Sequence, residues 1–397
     1  MEVLNALSTF LKCPFFRDRR TLFALWLLLP VIAALMKITK HNNFLIFRGV
    51  FWHTLNLTPL YGEYPAEYFD SNYYGPFFSL VIAPFALLPE WVGLLCWLVA
   101  LSMFLYFAIR KLPVREGFRI AILWFCAHEL LTALFMSQYN IAIAAGILLT
   151  YICIEKEKDF WAAFFIMLGT FVKLYGIVGL AFFFFSKHKG KFILSLLFWA
   201  VVMFVAPMLL SNPQYVVSQY AEWFHNLTSK NDANLLSGGQ NISLLGMVRK
   251  ISGCTAYSDL WIIVPGMALF ALPYLRWQQF KHPAFRLTLM ASVLMFTVLF
   301  STGSESSTYI IAFVGVAIWY WAAPWQRSRW DIALMVFAFI LTSMSPSDLF
   351  PAYLRKTWVQ PYALKALPVA LIWLKLTWEM MRRDYTPPST AASTAPS

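Results

Sequence analysis

The stretch FDSNYYGPFFSLVIAPFALLP, residues 69–89, decides how the chain is arranged relative to a membrane. It is too apolar for a water-exposed loop, yet its three prolines fit poorly inside a regular spanning helix. If it crossed a bilayer, the basic cluster at 110–119 would lie on the opposite side from the first basic cluster at 17–20. We therefore predict a short amphipathic element lying in the outer interface, with a kinked span as the alternative.

The rest of the sequence indicates an all-α polytopic membrane protein. Its 397 residues are 60% hydrophobic and 13% charged, with a mean hydropathy of +0.63. Repeated continuous apolar runs are typical of spanning helices, whereas a β-barrel would alternate with a period of two. About twelve transmembrane helices are predicted, at 21–38, 90–110, 118–136, 140–155, 159–173, 175–186, 192–210, 258–275, 286–302, 308–323, 331–345 and 362–381.

The formal net charge of +12 would suggest a nucleic-acid partner in a soluble protein. Here the basic residues form short clusters between apolar runs, so we interpret them as topology signals of a multi-pass inner-membrane protein. Residues 1–20 are predicted to be a cytoplasmic N-terminus, 21–381 the transmembrane domain, and 382–397 a disordered cytoplasmic tail. The five cysteines form no CxxC pair, so neither a disulfide framework nor a zinc site is expected.

With this topology the polar segments collect on the external side of the membrane. The predicted cytoplasmic loops are short and basic, so no catalytic domain is expected there. The external segments are 39–75 within the first external loop (39–89), 136–140, the turn around Lys173, 212–257, 301–309 and 345–356. The long first external loop is expected to carry interfacial helices.

Several residues of the first external loop could serve chemistry at that face. A carboxylate beside a wet cavity, such as Asp70, can take a proton from a sugar hydroxyl. Arg48 and His53 are further polar candidates, and Tyr74 belongs to an aromatic run that suits sugar rings. An ordinary solvated loop with interfacial aromatics is the alternative.

Other candidates lie inside or at the ends of apolar runs. His128 and Glu129 fall within a predicted span, where ionisable residues face a cavity or a partner. Lys173 in GTFVKLYG suits a lipid phosphate, with a snorkelling lysine as the alternative. Glu305 is flanked by small polar residues at an apolar boundary. Amide and hydroxyl candidates that could bind sugar hydroxyls are Gln138, Asn140, Gln240, Asn241 and Tyr309.

No GxxxxGK[ST], GxGxxG, HExxH or GxSxG arrangement occurs, so no nucleotide, zinc or serine-hydrolase chemistry is indicated. The order of five motifs instead resembles glycosyltransferase family 87, whose members have the GT-C fold. The resemblance covers roughly residues 20 to 325. Its motifs are YGPFF with APFALLP after it, SQYN, GTFVKLYG, GQNISLLGMV and SESSTYIIAF.

This resemblance implies a polyprenyl-phosphate-mannose-dependent α-mannosyltransferase that needs no nucleotide and usually no metal or other cofactor. It also implies an Asp as general base near the start of the first external loop. The matching position here holds Asn43, which cannot act as a base. Asp70 is therefore the leading candidate for the base, followed by Glu129 and Glu305.

The leading hypothesis is a membrane glycosyltransferase that moves one hexose, mannose being expected, from a polyprenyl-phosphate carrier to a lipid or glycan acceptor at the outer face. Lys173, helped by Arg48, would bind the carrier phosphate, and the amides with His128 would line the sugar pocket. A transporter or flippase of polyprenyl-linked glycans and a glycan polymerase or ligase are the alternatives.

Overall fold

The computed structural model describes residues 13–234, 239–254 and 256–386, and within these ranges the chain is helical without any strand. The α-helices are α1 (Arg19–Lys37), α2 (Asn42–Asn56), α3 (Phe78–Ala86), α4 (Glu90–Arg110), α5 (Glu116–Phe135), α6 (Asn140–Glu155), α7 (Asp159–Lys173), α8 (Lys189–Val205), α9 (Pro213–Asn234), α10 (Leu244–Ser252), α11 (Leu260–Ala271), α12 (Pro283–Leu299), α13 (Tyr309–Trp321), α14 (Arg329–Phe337) and α15 (Ala366–Arg382). Single helical turns lie at Pro14–Arg17 and Ala352–Leu354, 3-10 segments at Tyr175–Phe185, Ala206–Leu209, Leu272–Lys281 and Ser306–Thr308, and π-helical segments at Ala338–Met344 and Arg355–Val359. The first residues of the predicted N-terminus and most of the predicted tail, 1–12 and 387–397, lie outside the described residues.

Membrane character follows from helices that are long and apolar enough to cross a bilayer. By length and composition the described residues contain five such helices: Arg19–Lys37, Glu90–Arg110, Glu116–Phe135, Lys189–Leu209 and Leu260–Lys281. The other seven predicted spans also fall on helical segments, but on shorter ones. About twelve crossings therefore stay a prediction.

Three short helices form the centre of the molecule. Most residues of α6, α12 and α13 are buried, and α12 packs along α13. By contrast, of the residues in α11 only Gly266 is buried, and the side chain of Trp261 is 77% exposed. Because that exposed surface is apolar, it suits contact with lipid rather than water.

The helices alternate in direction, so their termini gather at two opposite ends. At one end, which we call the basic end, Arg19 and Arg119 both pair with Glu116, at 2.9 and 3.2 Å. The basic end also holds the Arg286–Glu155 pair, whose Nε and Oε1 atoms are 2.6 Å apart. The opposite end, which we call the cavity end, holds the last residues of α1, α5 and α7 and the first of α6 and α13.

The stretch that decides the topology forms α3, which has only nine residues. At 1.5 Å per residue it is about 14 Å long, roughly half the apolar thickness of a bilayer. As a regular helix it is therefore too short to cross.

Two helices of the cavity end were not located in the sequence. Helix α2 lies within the first predicted loop, and α9 has 22 residues within the segment 212–257 that was interpreted only as polar. Both carry mixed polar and apolar residues, so neither produces the continuous apolar run that identifies a span.

A close backbone approach fixes the loop before α3. The Gly75 amide donates to the Val172 carbonyl at 3.1 Å, beside the end of α7. A Cβ on Gly75 would lie 2.2 Å from the Phe171 carbonyl oxygen, so only glycine fits without a backbone shift. This contact brings residues 70–74 next to Lys173.

Candidate active site

A cavity of about 570 Å³ opens at the cavity end. It lies between the start of α2, the loop before α3, the turn after α5, the end of α7, the face of α9 and the loop after α12. Seven of the fourteen residues predicted for the site line it: Asn43, Asp70, Tyr74, Gln138, Lys173, Gln240 and Glu305. The cavity therefore collects segments that are far apart in the sequence.

One chain of hydrogen bonds crosses the floor of this cavity. The Gln138 amide nitrogen donates to Glu305 Oε2 at 2.8 Å, and the Asn140 amide nitrogen donates to Gln138 Oε1, also at 2.8 Å. Lys173 Nζ donates to Asn140 Oδ1 at 2.7 Å, and Ser307 Oγ donates to Gln138 Oε1 at 3.1 Å. Asn140 is itself fully buried and does not line the cavity; it holds Gln138 and Lys173 in place from behind.

The Lys173 ammonium is further held by aromatic faces. Its Nζ lies 5.5 Å from the ring centre of Tyr74 and 5.4 Å from that of Tyr175. A lysine ammonium has three donors, and one of them is used by Asn140. The chain therefore presents a fixed cation to the cavity at its innermost part.

Asp70 presents an exposed carboxylate from the loop before α3. Its Oδ1 accepts from the Ser71 amide at 2.7 Å and from the Tyr73 hydroxyl at 3.2 Å, while its Oδ2 accepts no hydrogen bond from any described residue. The φ angle of Asp70 is 70°, in the left-handed region that Asp tolerates better than most residues. The loop thus aims one free carboxylate oxygen at the cavity rim.

Asn42 ties this loop to the start of α2. Its side chain makes two hydrogen bonds with the backbone of Phe69, at 2.7 and 2.8 Å. The next residue on each segment, Asn43 and Asp70, lines the cavity. The Asn43 amide nitrogen donates to the Met136 carbonyl at 2.8 Å, so it joins α2 to the turn after α5.

Two predicted residues of the first loop lie away from the cavity lining. Arg48 pairs with Glu90, with 3.6 Å between Nη1 and Oε2. His53 is buried two helical turns beyond Ile46 on α2, where Nε2 lies 3.2 Å from Glu67 and the ring packs on Tyr64. Burial lowers the pKa of His53, and Glu67 opposes that shift.

The predicted pair in α5 also lies outside the cavity. His128 Nδ1 contacts Ser343 Oγ at 2.9 Å. Glu129 is completely buried and accepts from Lys365 Nζ at 2.8 Å. The same ammonium donates to the carbonyl and hydroxyl oxygens of Ser306, at 2.9 and 3.0 Å, next to Glu305. The Glu129–Lys365 ion pair therefore supports the turn that contains Glu305, and neither His128 nor Glu129 lines the cavity.

The predicted amide motif forms the entry to α10. Ser243 caps this helix by accepting from the Gly246 amide at 3.1 Å, and it donates to Asn241 Oδ1 at 2.8 Å. Asn241 is buried, so of the two predicted amides only Gln240 reaches the cavity. Tyr309 is buried too, and its hydroxyl donates to the Ile242 carbonyl at 2.9 Å.

Tyr73 and Lys230 are among the cavity-lining residues that sequence reasoning missed. Burial of Tyr73, together with the Asp70 carboxylate, raises its pKa to about 12. Burial lowers the pKa of Lys230, and the negative charges of Glu305 and Asp70 oppose that shift. The cavity therefore holds two carboxylates and two lysines. The polar positions of α9 repeat every three or four residues, a signal that could have identified Lys230.

Across residues 13–234, 239–254 and 256–386, no group of three or more His, Cys, Asp or Glu side chains is placed to hold a metal ion. The polar groups around the cavity are carboxylate, ammonium, amide and hydroxyl groups. Such a set can bind hydroxyl-rich and anionic ligands through hydrogen bonds.

The fold and the site define the class of this protein: it is an all-helical membrane protein with a polar cavity at one end of its helices. The model of glycosyltransferase family 87 matches residues 72–302, more than half of the chain, and this protein belongs to that family. It is therefore a glycosyltransferase that acts on a sugar donor and an acceptor. A search of curated proteins finds no match to this chain.

Proposed function

We propose that this enzyme transfers a single hexose, mannose being the expected sugar, from a polyprenyl-phosphate carrier to a lipid or glycan acceptor at the outer face of an inner membrane. The observation that carries the proposal is the free carboxylate oxygen of Asp70 at the rim of a cavity that also holds Lys173. A membrane-embedded donor explains why an apolar protein places such a cavity at the ends of its helices.

In the proposed reaction the acceptor hydroxyl attacks C1 of the donor sugar. Asp70 takes the hydroxyl proton, the new bond forms between the acceptor oxygen and C1, and the bond from C1 to the phosphate oxygen breaks. The bonding electron pair leaves with the polyprenyl phosphate. Inversion at C1 by a single displacement is implied by the resemblance to the family.

The base is assigned to Asp70 because of the Asn42–Phe69 hydrogen bonds. These bonds join the loop to α2, so that Asp70 lines the same cavity as Asn43, the position that the resemblance implies for the base. An aspartate brought in from the loop can then serve in place of one on α2. Glu305 is a weaker candidate because its Oε2 is already held by Gln138.

Lys173 is assigned to the donor phosphate, and Gln138 and Gln240 to the sugar hydroxyls. Arg48 and His128 are not assigned to the donor or the sugar in this proposal because neither lines the cavity. The remaining donors of the Lys173 ammonium suit phosphate oxygens, and its hydrogen bond to Asn140 fixes its direction.

The outer-face placement is supported by the two ends of the molecule. The Arg19, Arg119 and Arg286 ion pairs lie at the basic end, opposite the cavity. Because basic residues flanking spans favour the cytoplasmic side, the cavity end is then external.

The test is transfer of labelled mannose from polyprenyl-phosphate-mannose to membrane acceptors by the purified protein in lipid. Formation of a labelled covalent product is expected. Absence of product with folded protein and alternative polyprenyl-phosphate hexoses would contradict the donor class. Movement of the lipid-linked sugar across vesicles without a new covalent bond would instead support the flippase.

A further inference from the structure

Helix α9 lies along the first external loop and binds its backbone with a regular stripe of side chains. The Tyr215 hydroxyl donates to the Thr58 carbonyl at 2.6 Å, and Gln219 Oε1 accepts from the Leu60 amide at 2.7 Å. Further along α9, Trp223 Nε1 donates to the Tyr73 carbonyl at 3.0 Å, and the Asn226 amide nitrogen donates to the Asn72 carbonyl at 2.9 Å.

These four donors and acceptors are spaced by four, four and three residues, so they lie on one face of the helix. The next position on that face, four residues after Asn226, is Lys230. It is the member of the stripe that lies over the cavity. The hydrogen bonds of this stripe therefore fix the backbone position of Lys230, and the Lys230 ammonium lies at the cavity.

Lys230 differs from the other four side chains of the stripe because it contacts an aromatic ring and not the loop backbone. Its Nζ lies 3.1 Å from the ring centre of Tyr73 and donates no hydrogen bond to any described residue. An aromatic face holds an ammonium weakly and leaves its N–H donors available. Lys173, by comparison, already donates to the Asn140 amide oxygen.

From this geometry we propose that Lys230 is a phosphate-binding residue, which moves from the Tyr73 ring to the phosphate of the lipid-linked donor. The ligand class is a phosphate ester, because a half-buried ammonium with free donors suits phosphate oxygens. Together with Lys173, Lys230 holds the phosphate between two cations. This inference rests on the proposed donor.

During transfer the bond between C1 and the phosphate oxygen breaks, and the electron pair of that bond moves onto the phosphate. Negative charge therefore increases at the leaving group as the reaction proceeds. An ammonium on this oxygen stabilises the transition state more than the bound donor. Lys230 keeps its proton throughout.

The test is equilibrium binding of a short-chain polyprenyl phosphate and of the uncharged polyprenol of the same length to the full-length protein in nanodiscs. In Lys230→Met the phosphate is expected to bind about tenfold to a hundredfold more weakly, while polyprenol affinity stays unchanged. Lys230→Arg keeps the charge and is expected to bind the phosphate within about threefold of the wild type.

Lys191→Met is the matched control, because it removes an exposed lysine at the basic end. It should leave both affinities unchanged. Equal phosphate affinity in Lys230→Met and wild type would overturn the inference and leave the donor class intact. Equal loss of phosphate and polyprenol binding would also overturn it, because the residue would then be structural. A wild-type protein that binds polyprenyl phosphate no better than polyprenol, and that transfers no sugar from polyprenyl-phosphate-mannose, would overturn both the inference and the proposed donor.

Discussion

Two lysine–carboxylate clusters lie side by side at the cavity end, and they differ in what their charges contact. In the cavity, Lys173 donates to the neutral amide of Asn140, and the nearby Asp70 keeps one carboxylate oxygen free. Behind the cavity, the Lys365 ammonium pairs with Glu129 and donates hydrogen bonds to Ser306. The side chains of Lys365 and Glu129 are at most 4% exposed. Charges satisfied within the protein build a scaffold, and charges left open can bind substrate.

The buried cluster still matters for the cavity because Ser306 directly follows Glu305. Lys365 holds the Ser306 backbone carbonyl at 2.9 Å, and Gln138 holds Glu305 from the opposite side at 2.8 Å. The Glu305 turn is thus fixed from both directions. Substitutions in the two clusters should consequently separate loss of catalysis from loss of folding.

The largest effect is expected for Asp70→Asn, which removes the proposed base without changing the size of the side chain. Loss of proton abstraction should lower the transfer rate by about 10²–10⁴-fold, while thermal unfolding stays near that of the wild type. Initial rates with polyprenyl-phosphate-mannose measure the effect.

Asn43→Asp placed on the Asp70→Asn background is the matched gain-of-function variant. It puts an aspartate in the same cavity at the position that the resemblance to the family implies for the base, so partial recovery of transfer is expected. If Asp70→Asn keeps full activity, Asp70 is not the base and Glu305→Gln should be measured next.

A second prediction breaks the buried cluster. Glu129→Gln leaves the Lys365 ammonium without its counter-charge in a buried site, so a destabilisation of about 3–5 kcal/mol is expected. Thermal unfolding in detergent or nanodiscs measures the loss. Transfer by the fraction that remains folded should fall much less than in Asp70→Asn.

The double variant Glu129→Leu with Lys365→Met controls for that interpretation, because it replaces both charges with apolar side chains. Stability should return towards the wild-type value. If Glu129→Gln is fully stable yet inactive, Glu129 has a direct catalytic role and the division between the two clusters is wrong.

The third prediction moves the loop that carries Asp70. Gly75→Ala places a Cβ 2.2 Å from the Phe171 carbonyl oxygen, so the loop must shift away from the end of α7. We expect about 1–3 kcal/mol of destabilisation and a clear fall in transfer. Gly117→Ala is the control, since a Cβ at Gly117 in α5 meets no atom within 4 Å. Equal behaviour of the two variants would show that the Gly75 contact is unimportant.

The sequence predicts the helical membrane architecture well because continuous apolar runs report directly on helices that can face lipid. All twelve predicted spans coincide with helical segments, and five of them are long enough to count as candidate spans. Helices α2 and α9 were not located because they mix polar and apolar residues. Helix α2 packs along α3, and α9 binds the backbone of the loop before α3, contacts that no local pattern specifies.

The site was partly predictable because the ends of the apolar runs can also be located in the sequence. Polar motifs at the ends of apolar runs identified Asp70, Gln138, Lys173 and Glu305, which all line the cavity. The sequence could not show that Glu129 has a buried partner 236 residues later, in Lys365. An ionisable residue in an apolar run signals a partner or a cavity, and only the tertiary structure decides which.

The smallest expected effect is on the pH dependence of transfer. It tests whether the Lys230 ammonium contacts the donor, in contrast to the buried Lys365. The cation of Lys230 is the form that binds phosphate, and burial lowers its pKa below the ordinary value of 10.5, against the opposing charges of Asp70 and Glu305. The charge is therefore lost at lower pH than in a free lysine, so kcat/KM should decline as pH rises while Tyr73, with a pKa of about 12, stays neutral. Lys230→Arg should flatten this decline because arginine stays charged, and any decline that remains would belong to Lys173, the other cavity cation. An identical pH profile for wild type and Lys230→Arg would mean that the ammonium of Lys230 does not contact the donor.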